Sequence, residues 1–355
     1  MKQIFFVCFL FTLLLSAVSH AQQRPGVGPP PGGGGGRPGG REHTANEAEP
    51  LDLVAANRNP PEDSDVSVTE TGNERRMLSN GLPDHKVGRF PNRDNPNAIT
   101  EQSFDIVIPK DPEPAAEITY MHGDPSGGGR PPGPGGFRVF GVTFDGVLME
   151  PGTAESWMAQ RRWNYEALGG AVPLGLDTNY AHVQPDGHYH YHGLPIDLMK
   201  RLGYTRGNHS PMIGWAADGF PVYAMYGFSD ANDSTSDVAE LTTSWQLRKG
   251  DRPSGRDNPS GEYDGAFVQD YEFVEGSGDL DECNGRFCDT PEYPEGTYAY
   301  FLTREWPVIP RAFRGTPAMI GGEGRPPGPG GPPPGSGPPP GPGGGRPPEG
   351  RPPGR

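Results

Sequence analysis

Four of the chain's nine histidines lie in a single stretch, HVQPDGHYHYHGLP, which runs from residue 182 to residue 195. The order Pro-Asp-Gly at 185–187 is typical of a type I turn followed by a left-handed glycine, and it predicts a β-hairpin with a three-residue loop. In that register His182 lies directly opposite His190, and Val183 lies opposite Tyr189. A histidine on the first strand, His182, therefore faces a histidine on the second strand, His190.

The alternation of histidine and tyrosine separates the side chains into two faces. Because successive side chains on a strand point to opposite faces, His182, His188, His190 and His192 are predicted to share one face. Tyr189 and Tyr191 then share the other. Cβ atoms directly opposite each other are ~5 Å apart and diagonal ones ~7 to 8 Å apart, so these imidazoles can converge on one ion. Three imidazoles with an open position favour zinc or copper and suit the activation of water.

His188 is the fourth histidine of this stretch and is left out of the predicted ligand set. Along an extended strand at ~3.3 Å per residue it is about 13 Å from His192, too far for both to bind one ion easily. Two alternatives stay open. A two-residue loop would place His182 opposite Tyr189 and dissolve the cluster. In a purely structural hairpin, the histidines would only hydrogen-bond one another and nearby carboxylates.

Other candidate site residues are scattered along the chain. His85 in GLPDHKVG and His122 in TYMHGD could complete a site in the fold, but an isolated histidine is more often a surface or capping residue. Asp186 and Asp218 are interpreted first as turn residues, because aspartate side chains bond their own backbone in turns. Either could also orient a histidine ligand.

The segment EGSGDLDECNGRFCD contains Cys283 and Cys288, the cysteines outside the N-terminal 21 residues. In an oxidising compartment they are predicted to form a local disulfide, and a redox pair is the weaker alternative because the spacing is not CxxC. Asp279, Asp281 and Glu282 do not follow the spacing of an EF-hand loop. An irregular, structural calcium site at these residues stays open.

Motifs that identify several enzyme classes are missing from the sequence. It contains no GxSxG elbow, HExxH helix, phosphate-binding loop or dinucleotide fingerprint, so no catalytic residue is predicted. The second hypothesis is a non-catalytic secreted surface or glycan-binding module in which the hairpin is structural. Four tryptophans could form a sugar-binding platform, although burial in a core is their more common fate: Trp163, Trp215, Trp245 and Trp306.

The elements that must position these residues are mostly strands. FRVFGVTFDGVLME and MIGWAADGFPVYAMYGF each flank an Asp-Gly pair and predict hairpins, while SFDIVIP, EITYM, GAFVQDYEFVEG and GTYAYFLT are rich in β-branched and aromatic residues. Helices are predicted at 153–170, with Thr153 as N-cap and Gly169 as stop, and at PIDLMKRLG. We predict a mainly β fold, an antiparallel sandwich or barrel-like single domain with one or two short helices.

Composition divides the chain into four segments. Residues 1–21 have the charged start, apolar run and small residues of a secretory signal peptide, which predicts export to the periplasm or the medium. Residues 22–64 are predicted to be a disordered Gly/Pro-rich linker, residues 65–320 the domain, and residues 321–355 a disordered Gly/Pro/Arg-rich tail. No other stretch is apolar enough to span a bilayer.

Charge is unevenly distributed along the chain. The net charge is −15 overall, and residues 1–21, 22–41 and 321–355 contribute +1, +3 and +2, which leaves −21 for residues 42–320. An acidic domain argues against nucleic acid as a partner, because phosphate binding needs a basic surface. It suits the binding of cations. Whether the domain also binds a small molecule or an extracellular polymer stays open.

The stretch LDTNYAHVQPDGHYHYHGLP resembles the signature of the YHYH domain family, which is named after the tetrad found here at 189–192. Further segments resemble the same family in the same order, from SNGLPDHKVGRFPNRDNPNAI through FGVTFDGVLMEPGTAESW to EWPVIPRAFRG, so the resemblance extends from about Arg76 to Thr316. It implies an exported protein and no particular activity, substrate or cofactor. The metal prediction therefore rests on the hairpin geometry alone.

Overall fold

Short strands joined by turns make up most of the regular structure in the residues described by the computed structural model, 43–121, 138–160 and 162–320. The strands are β1 (Val66–Thr71), β2 (Glu74–Ser79), β3 (Phe104–Pro109), β4 (Pro114–Tyr120), β5 (Gly141–Thr143), β6 (Leu148–Met149), β7 (Gly152–Ser156), β8 (Asn164–Glu166), β9 (Ala181–Val183), β10 (Tyr189–Tyr191), β11 (Met212–Ala216), β12 (Pro221–Tyr223), β13 (Tyr226–Phe228), β14 (Val238–Glu240), β15 (Trp245–Leu247), β16 (Tyr271–Phe273), β17 (Gly285–Cys288), β18 (Thr297–Phe301) and β19 (Ala312–Gly315). The helices are α1 (Ile196–Arg201) and a 3₁₀ turn at Val268–Asp270. The predicted mainly β fold is confirmed.

An eight-stranded sheet forms the centre, in the order β17-β18-β12-β11-β5-β6-β10-β9. The two predicted Asp-Gly hairpins, β5–β6 and β11–β12, are both part of it. Most neighbouring strands are antiparallel, as predicted, but β10 runs parallel to β6 and β12 runs parallel to β18. Parallel neighbours cannot be joined by a tight turn, so no local sequence signal indicates them. The hairpin β9–β10 forms one edge of this sheet.

A second layer, the three-stranded sheet β1-β2-β3, packs against the central sheet. Buried and exposed side chains alternate along β2, which is the pattern of a strand with one face on the core. Met77 from β2 and Ile106 and Ile108 from β3 enter the main hydrophobic cluster. In that cluster they join residues of the central sheet, among them Val142, Leu148, Tyr189 and Tyr191. The core therefore holds the tyrosine face of the histidine hairpin in place.

The helix predicted at residues 153–170 is wrong, because β7 and β8 pair there as an antiparallel hairpin. Thr153 does not cap a helix; its hydroxyl donates to the backbone oxygen of Tyr165, 3.0 Å away. Trp163 and Tyr165 pack with Phe267 in a separate aromatic cluster. Packing against a segment about 100 residues further along the chain has overridden local helix propensity. The short helix predicted at PIDLMKRLG is confirmed by α1.

The predicted disulfide is also wrong, because Cys283 and Cys288 are both free, buried thiols. Cys283 packs in the main core cluster, whereas Cys288 packs with Tyr223 and Phe301 in another cluster. The two side chains thus serve different parts of the core, although only four residues separate them. Burial raises the pKa of both thiols, which keeps them protonated and unreactive.

Residues 43–64, part of the segment assigned to a linker from composition, contact the domain through isolated β-bridges. These bridges pair His43 with Trp157, Val54 with Asp177 and Arg58 with Val87. The predicted signal peptide and the C-terminal tail lie outside the described residues. Among the residues that are described, no helix is long and apolar enough to cross a membrane.

Candidate metal centre

The hairpin β9–β10 has the register that its turn residues predict. Tyr189 pairs with Val183 and His190 pairs with His182, so the loop contains three residues. The Gly187 backbone has φ +92°, and its N–H donates to the oxygen of Gln184 over 2.9 Å. A positive φ at this position is what a glycine provides without strain. The predicted three-residue loop is therefore confirmed.

Three histidines of the hairpin converge on one point. His190 lies on β10 opposite His182 on β9, and His192 follows directly after β10, with its backbone N–H donating to the oxygen of Tyr180. The Nε2 atom of His192 is 3.0 Å from Nε2 of His190 and 3.1 Å from Nε2 of His182. Donor atoms of all three residues lie within 4.8 Å of one another. The sequence-predicted ligand set is thus brought together in space.

The protonation of the cluster can be read from its hydrogen bonds. His182 Nδ1 is 2.9 Å from the carbonyl oxygen of Leu174, and because a carbonyl only accepts, Nδ1 carries the proton and Nε2 keeps its lone pair. Burial lowers the pKa of His182, and it lowers those of His190 and His192 well below the ordinary value, with further lowering of those two by the charges of neighbouring histidines. The cluster is therefore neutral near pH 7, as metal ligation by imidazole requires.

His190 and His192 are almost completely buried, whereas His182 is half-buried and forms the outer side of the cluster. The Nδ1 atoms of His190 and His192 lack a hydrogen-bond partner among the described residues. Such unsatisfied buried polar atoms are uncommon in folded proteins and require a physical explanation. In an ordinary buried histidine network both ring nitrogens are hydrogen-bonded, and this cluster differs in that two of its Nδ1 atoms are not.

A second group of ligand-type side chains shares His190 with the first. Glu150, His188 and His190 are all buried, and donor atoms from the three lie within 4.8 Å of one another. His188 Nε2 is 3.0 Å from Glu150 Oε1, and His188 Nδ1 is 2.7 Å from Asp186 Oδ1. Burial opposes the charged forms of both partners, but their hydrogen bond and mutual charge outweigh it, so the pKa of Glu150 is lowered and that of His188 is raised.

The opposite face of β10 carries a polar network below the tyrosines. The Tyr191 hydroxyl lies 2.6 Å from His85 Nε2 and 3.1 Å from Asp145 Oδ2. The Tyr189 hydroxyl donates to Asp177 Oδ2 over 2.8 Å. Burial raises the pKa of both aspartates. This face fixes the hairpin to the core and leaves the imidazoles to the other side.

The remaining sequence candidates have other positions. His85 belongs to the tyrosine network rather than to the histidine cluster, and His122 lies outside the described residues. Asp186 is a turn residue that also holds His188, whereas Asp218 accepts hydrogen bonds from Tyr300 and from the backbone of Gly315.

The acidic residues weighed as a calcium site already have protein donors. Asp279 accepts from Thr242, and Asp281 accepts from the backbone of Cys283 and Gly285. The Glu282 carboxylate accepts from the Tyr120 hydroxyl. These three residues are not among the groups of described residues whose ligand atoms lie within 4.8 Å of one another.

The sequence does not indicate Glu150, and it predicts His188 to lie outside the ligand set. Glu150 follows β6, and it reaches the histidines because β6 pairs with β10 in parallel; the Glu150 backbone N–H donates to the oxygen of Tyr191 over 2.9 Å. This pairing joins segments about 40 residues apart in the chain. The one local signal was a glutamate at the end of an apolar strand, which is too common to indicate a site.

Comparison with known proteins assigns the chain to a protein family. The family model described as "YHYH protein" matches residues 107–315. No curated protein and no solved structure matches the chain. The matched region covers more than half of the chain and includes both ligand groups and the tyrosines between them. The chain belongs to the YHYH protein family.

Proposed function

We propose that this protein is exported and binds a transition-metal ion, zinc or copper, through His182, His190 and His192. The observation that carries the proposal is the convergence of three imidazole Nε2 atoms, with adjacent pairs 3.0 and 3.1 Å apart. Ligands on a tetrahedral ion with metal–nitrogen bonds of roughly 2 Å are about 3.3 Å apart, so a small outward shift would accommodate the ion. An ion held by three imidazoles keeps a position for water or a substrate.

The ring nitrogens support the same proposal. His182 already donates Nδ1–H to a backbone carbonyl, which is the usual way in which a metal-binding histidine is oriented. Its Nε2 lone pair faces His192 Nε2, so without an ion at most one proton can be shared between them. A metal ion would use all three lone pairs together. The acidic domain would favour the approach of a cation.

The proposal of export rests on residues 1–21, whose charged start, apolar run and small residues are typical of a secretory signal peptide. The glycan-binding alternative has weaker support. Trp163, Trp245 and Trp306 are buried and make ring contacts within the core, so they offer no flat platform to a sugar.

Metal content provides the test. The full chain, expressed with its signal and purified from the periplasm or medium, is expected to contain about one zinc or copper ion per molecule by elemental analysis. The double variant His190→Ala/His192→Ala should lose that ion. His209→Ala is the matched control, because His209 is partly buried but bonds Ser210 outside the cluster.

Two results would contradict the proposal. One is a folded protein that carries no stoichiometric metal and takes up neither Zn²⁺ nor Cu²⁺ when these are supplied. The other is a double variant with unchanged metal content. Recovery of the chain with residues 1–21 intact in the cytoplasmic fraction would contradict export separately.

A further inference from the structure

We infer that the hairpin holds a second divalent metal ion, bound by Glu150, His188 and His190, so that His190 stands between two ions. This inference rests on the proposed function, because it adds a neighbour to the ion at His182, His190 and His192. The two ligand groups have His190 in common and otherwise use different side chains. One carboxylate and two imidazoles form a set that suits zinc and other divalent first-row metals.

The first observation behind this inference is the orientation of His188. Its Nδ1 lies 2.7 Å from the carboxylate of Asp186, which can only accept when ionised, so Nδ1 carries a proton. Its Nε2 then points at Glu150 Oε1, 3.0 Å away. In neutral His188 these are two acceptors facing each other. Something positive must lie between them, and a metal ion and a proton are the two ways to supply it.

The second observation concerns the two ring nitrogens of His190. Its Nε2 faces His192 Nε2 and so belongs to the first ligand group. Its Nδ1 is buried and has no hydrogen-bond partner among the described residues. A metal-binding histidine normally uses its second nitrogen to bond a carbonyl or a carboxylate. Since His190 does not, its Nδ1 remains available for a second ion. Binding of both ions would release the single ring proton of neutral His190 to solvent, and the resulting imidazolate would join the two ions.

The third observation is that the surroundings are arranged as a binding site and not as a chance contact. Glu150, His188 and His190 have exposures of 5%, 9% and 0%. Asp186 supports His188 from the solvent side, in the carboxylate–histidine–metal arrangement that orients many ligands. The negative charge of Glu150 also offsets part of the charge that a second cation would bring into a buried site.

The test is a metal titration of the full chain after removal of bound metal with a chelator. With Zn²⁺ as the probe, saturation is expected at two ions per chain. Glu150→Gln and His188→Gln should each reduce this to one, and Asp186→Asn should weaken the second binding step by roughly 10- to 100-fold. His182→Gln should also leave one ion, held by the other group. Circular dichroism of each variant establishes that it remains folded.

Spectroscopy separates two joined ions from two independent ones. In the chain loaded with Cu²⁺, ions joined through His190 should couple magnetically, so the electron paramagnetic resonance signal should fall well below that of two isolated ions. In Glu150→Gln the signal of one uncoupled copper should appear.

The possible stoichiometries decide between the proposals. Saturation at one ion, unchanged by Glu150→Gln and lost in His182→Gln, would overturn the second ion and leave the first in place. It would mean that a proton bridges Glu150 and His188. Saturation at zero would overturn both proposals.

Discussion

At the scale of single residues, strand β10 carries two kinds of chemistry that differ only in which face a side chain occupies. His190 lies on the face where ligand nitrogens converge, and its neighbour Tyr191 lies on the face that packs into the core. The tyrosine hydroxyl stands between two buried polar groups, His85 and Asp145. Stability and metal binding should therefore respond to different substitutions on the same strand.

Tyr191→Phe tests this separation. The substitution removes the hydroxyl that bonds His85 Nε2 and Asp145 Oδ2, and the loss of both hydrogen bonds at these two buried atoms should lower the free energy of unfolding by about 1–3 kcal/mol. Chemical denaturation measures the loss. Metal content should stay at the wild-type value, because the hydroxyl lies on the opposite face from the imidazoles.

Tyr189→Phe is the matched control. Its hydroxyl donates to Asp177, and Asp177 keeps backbone donors from Gly88 and Asn179. The expected loss is therefore smaller, about 1 kcal/mol. Equal losses in the two variants, or loss of metal in either, would contradict the separation of faces.

At the scale of elements, the turn at 185–187 sets the register on which the proposed metal centre depends. Gly187 has φ +92°, and a Cβ atom there would lie 2.0 Å from Thr100 Oγ1. The backbone N–H of Thr100 also donates to the carbonyl oxygen of Gly187, 2.9 Å away. A change at Gly187 is expected to act on the histidines through the backbone, without touching them directly.

Gly187→Ala should lower the free energy of unfolding by about 1–3 kcal/mol through backbone strain and should also weaken metal binding, because either a shifted loop or a shifted register moves His182 relative to His190. Thermal melting and a zinc titration measure the two effects. Gly203→Ala is the matched control: Gly203 has a similar φ of +86°, but no atom lies within 4 Å of the added Cβ. It should cost about 1 kcal/mol and leave zinc binding unchanged. Intact zinc affinity in Gly187→Ala would show that the turn does not position the ligands.

The same elements show how far the sequence could predict this protein. The hairpin at 182–192 was predictable because Pro185 to Gly187 define the loop locally and the period of a strand assigns each side chain to a face. The helix expected at 153–170 was not formed, because Trp163 and Tyr165 bury their rings against Phe267. Glu150 was missed for a related reason: it joins the site through a parallel pairing of β6 with β10, for which the sequence has no short-range signal.

At the scale of the whole molecule, the buried histidines make folding depend on pH. Burial lowers the pKa of four histidines below the ordinary value: His182, His190, His192 and His209. His188 has the opposite shift, since its hydrogen bond and charge pairing with Glu150 outweigh burial. Among the described residues of the metal-free protein, these four histidines thus resist protonation, whereas His188 binds a proton more readily than a free histidine.

The sign of the effect follows from proton uptake on unfolding. A histidine with a lowered pKa stays neutral in the folded state, while the unfolded chain takes up its proton as the pH falls below about 6.5. Each such group therefore lowers stability on acidification, by up to about 1.4 kcal/mol per pH unit. The contribution of His188 is complete below about pH 6.5 and is lost only as the pH rises through its higher folded pKa. The stabilisation by His188 therefore does not grow as the pH falls from about 6.5 to 5, and it does not compensate for the stability lost through the other four histidines.

In the metal-free protein, these histidines are therefore expected to reduce the free energy of unfolding between about pH 6.5 and pH 5. Buried aspartates with a raised pKa, among them Asp145 and Asp177, act in the opposite direction, so the histidine effect is measured as a difference between proteins. In His190→Gln/His192→Gln, two of the depressed groups are gone, so the slope of melting temperature against pH should be visibly smaller. Zinc-loaded protein should resist the change until protons compete for the imidazoles, and then release metal and stability together. A pH dependence of the melting temperature that is the same in the metal-free wild-type chain and in this double variant would contradict a neutral, buried histidine cluster.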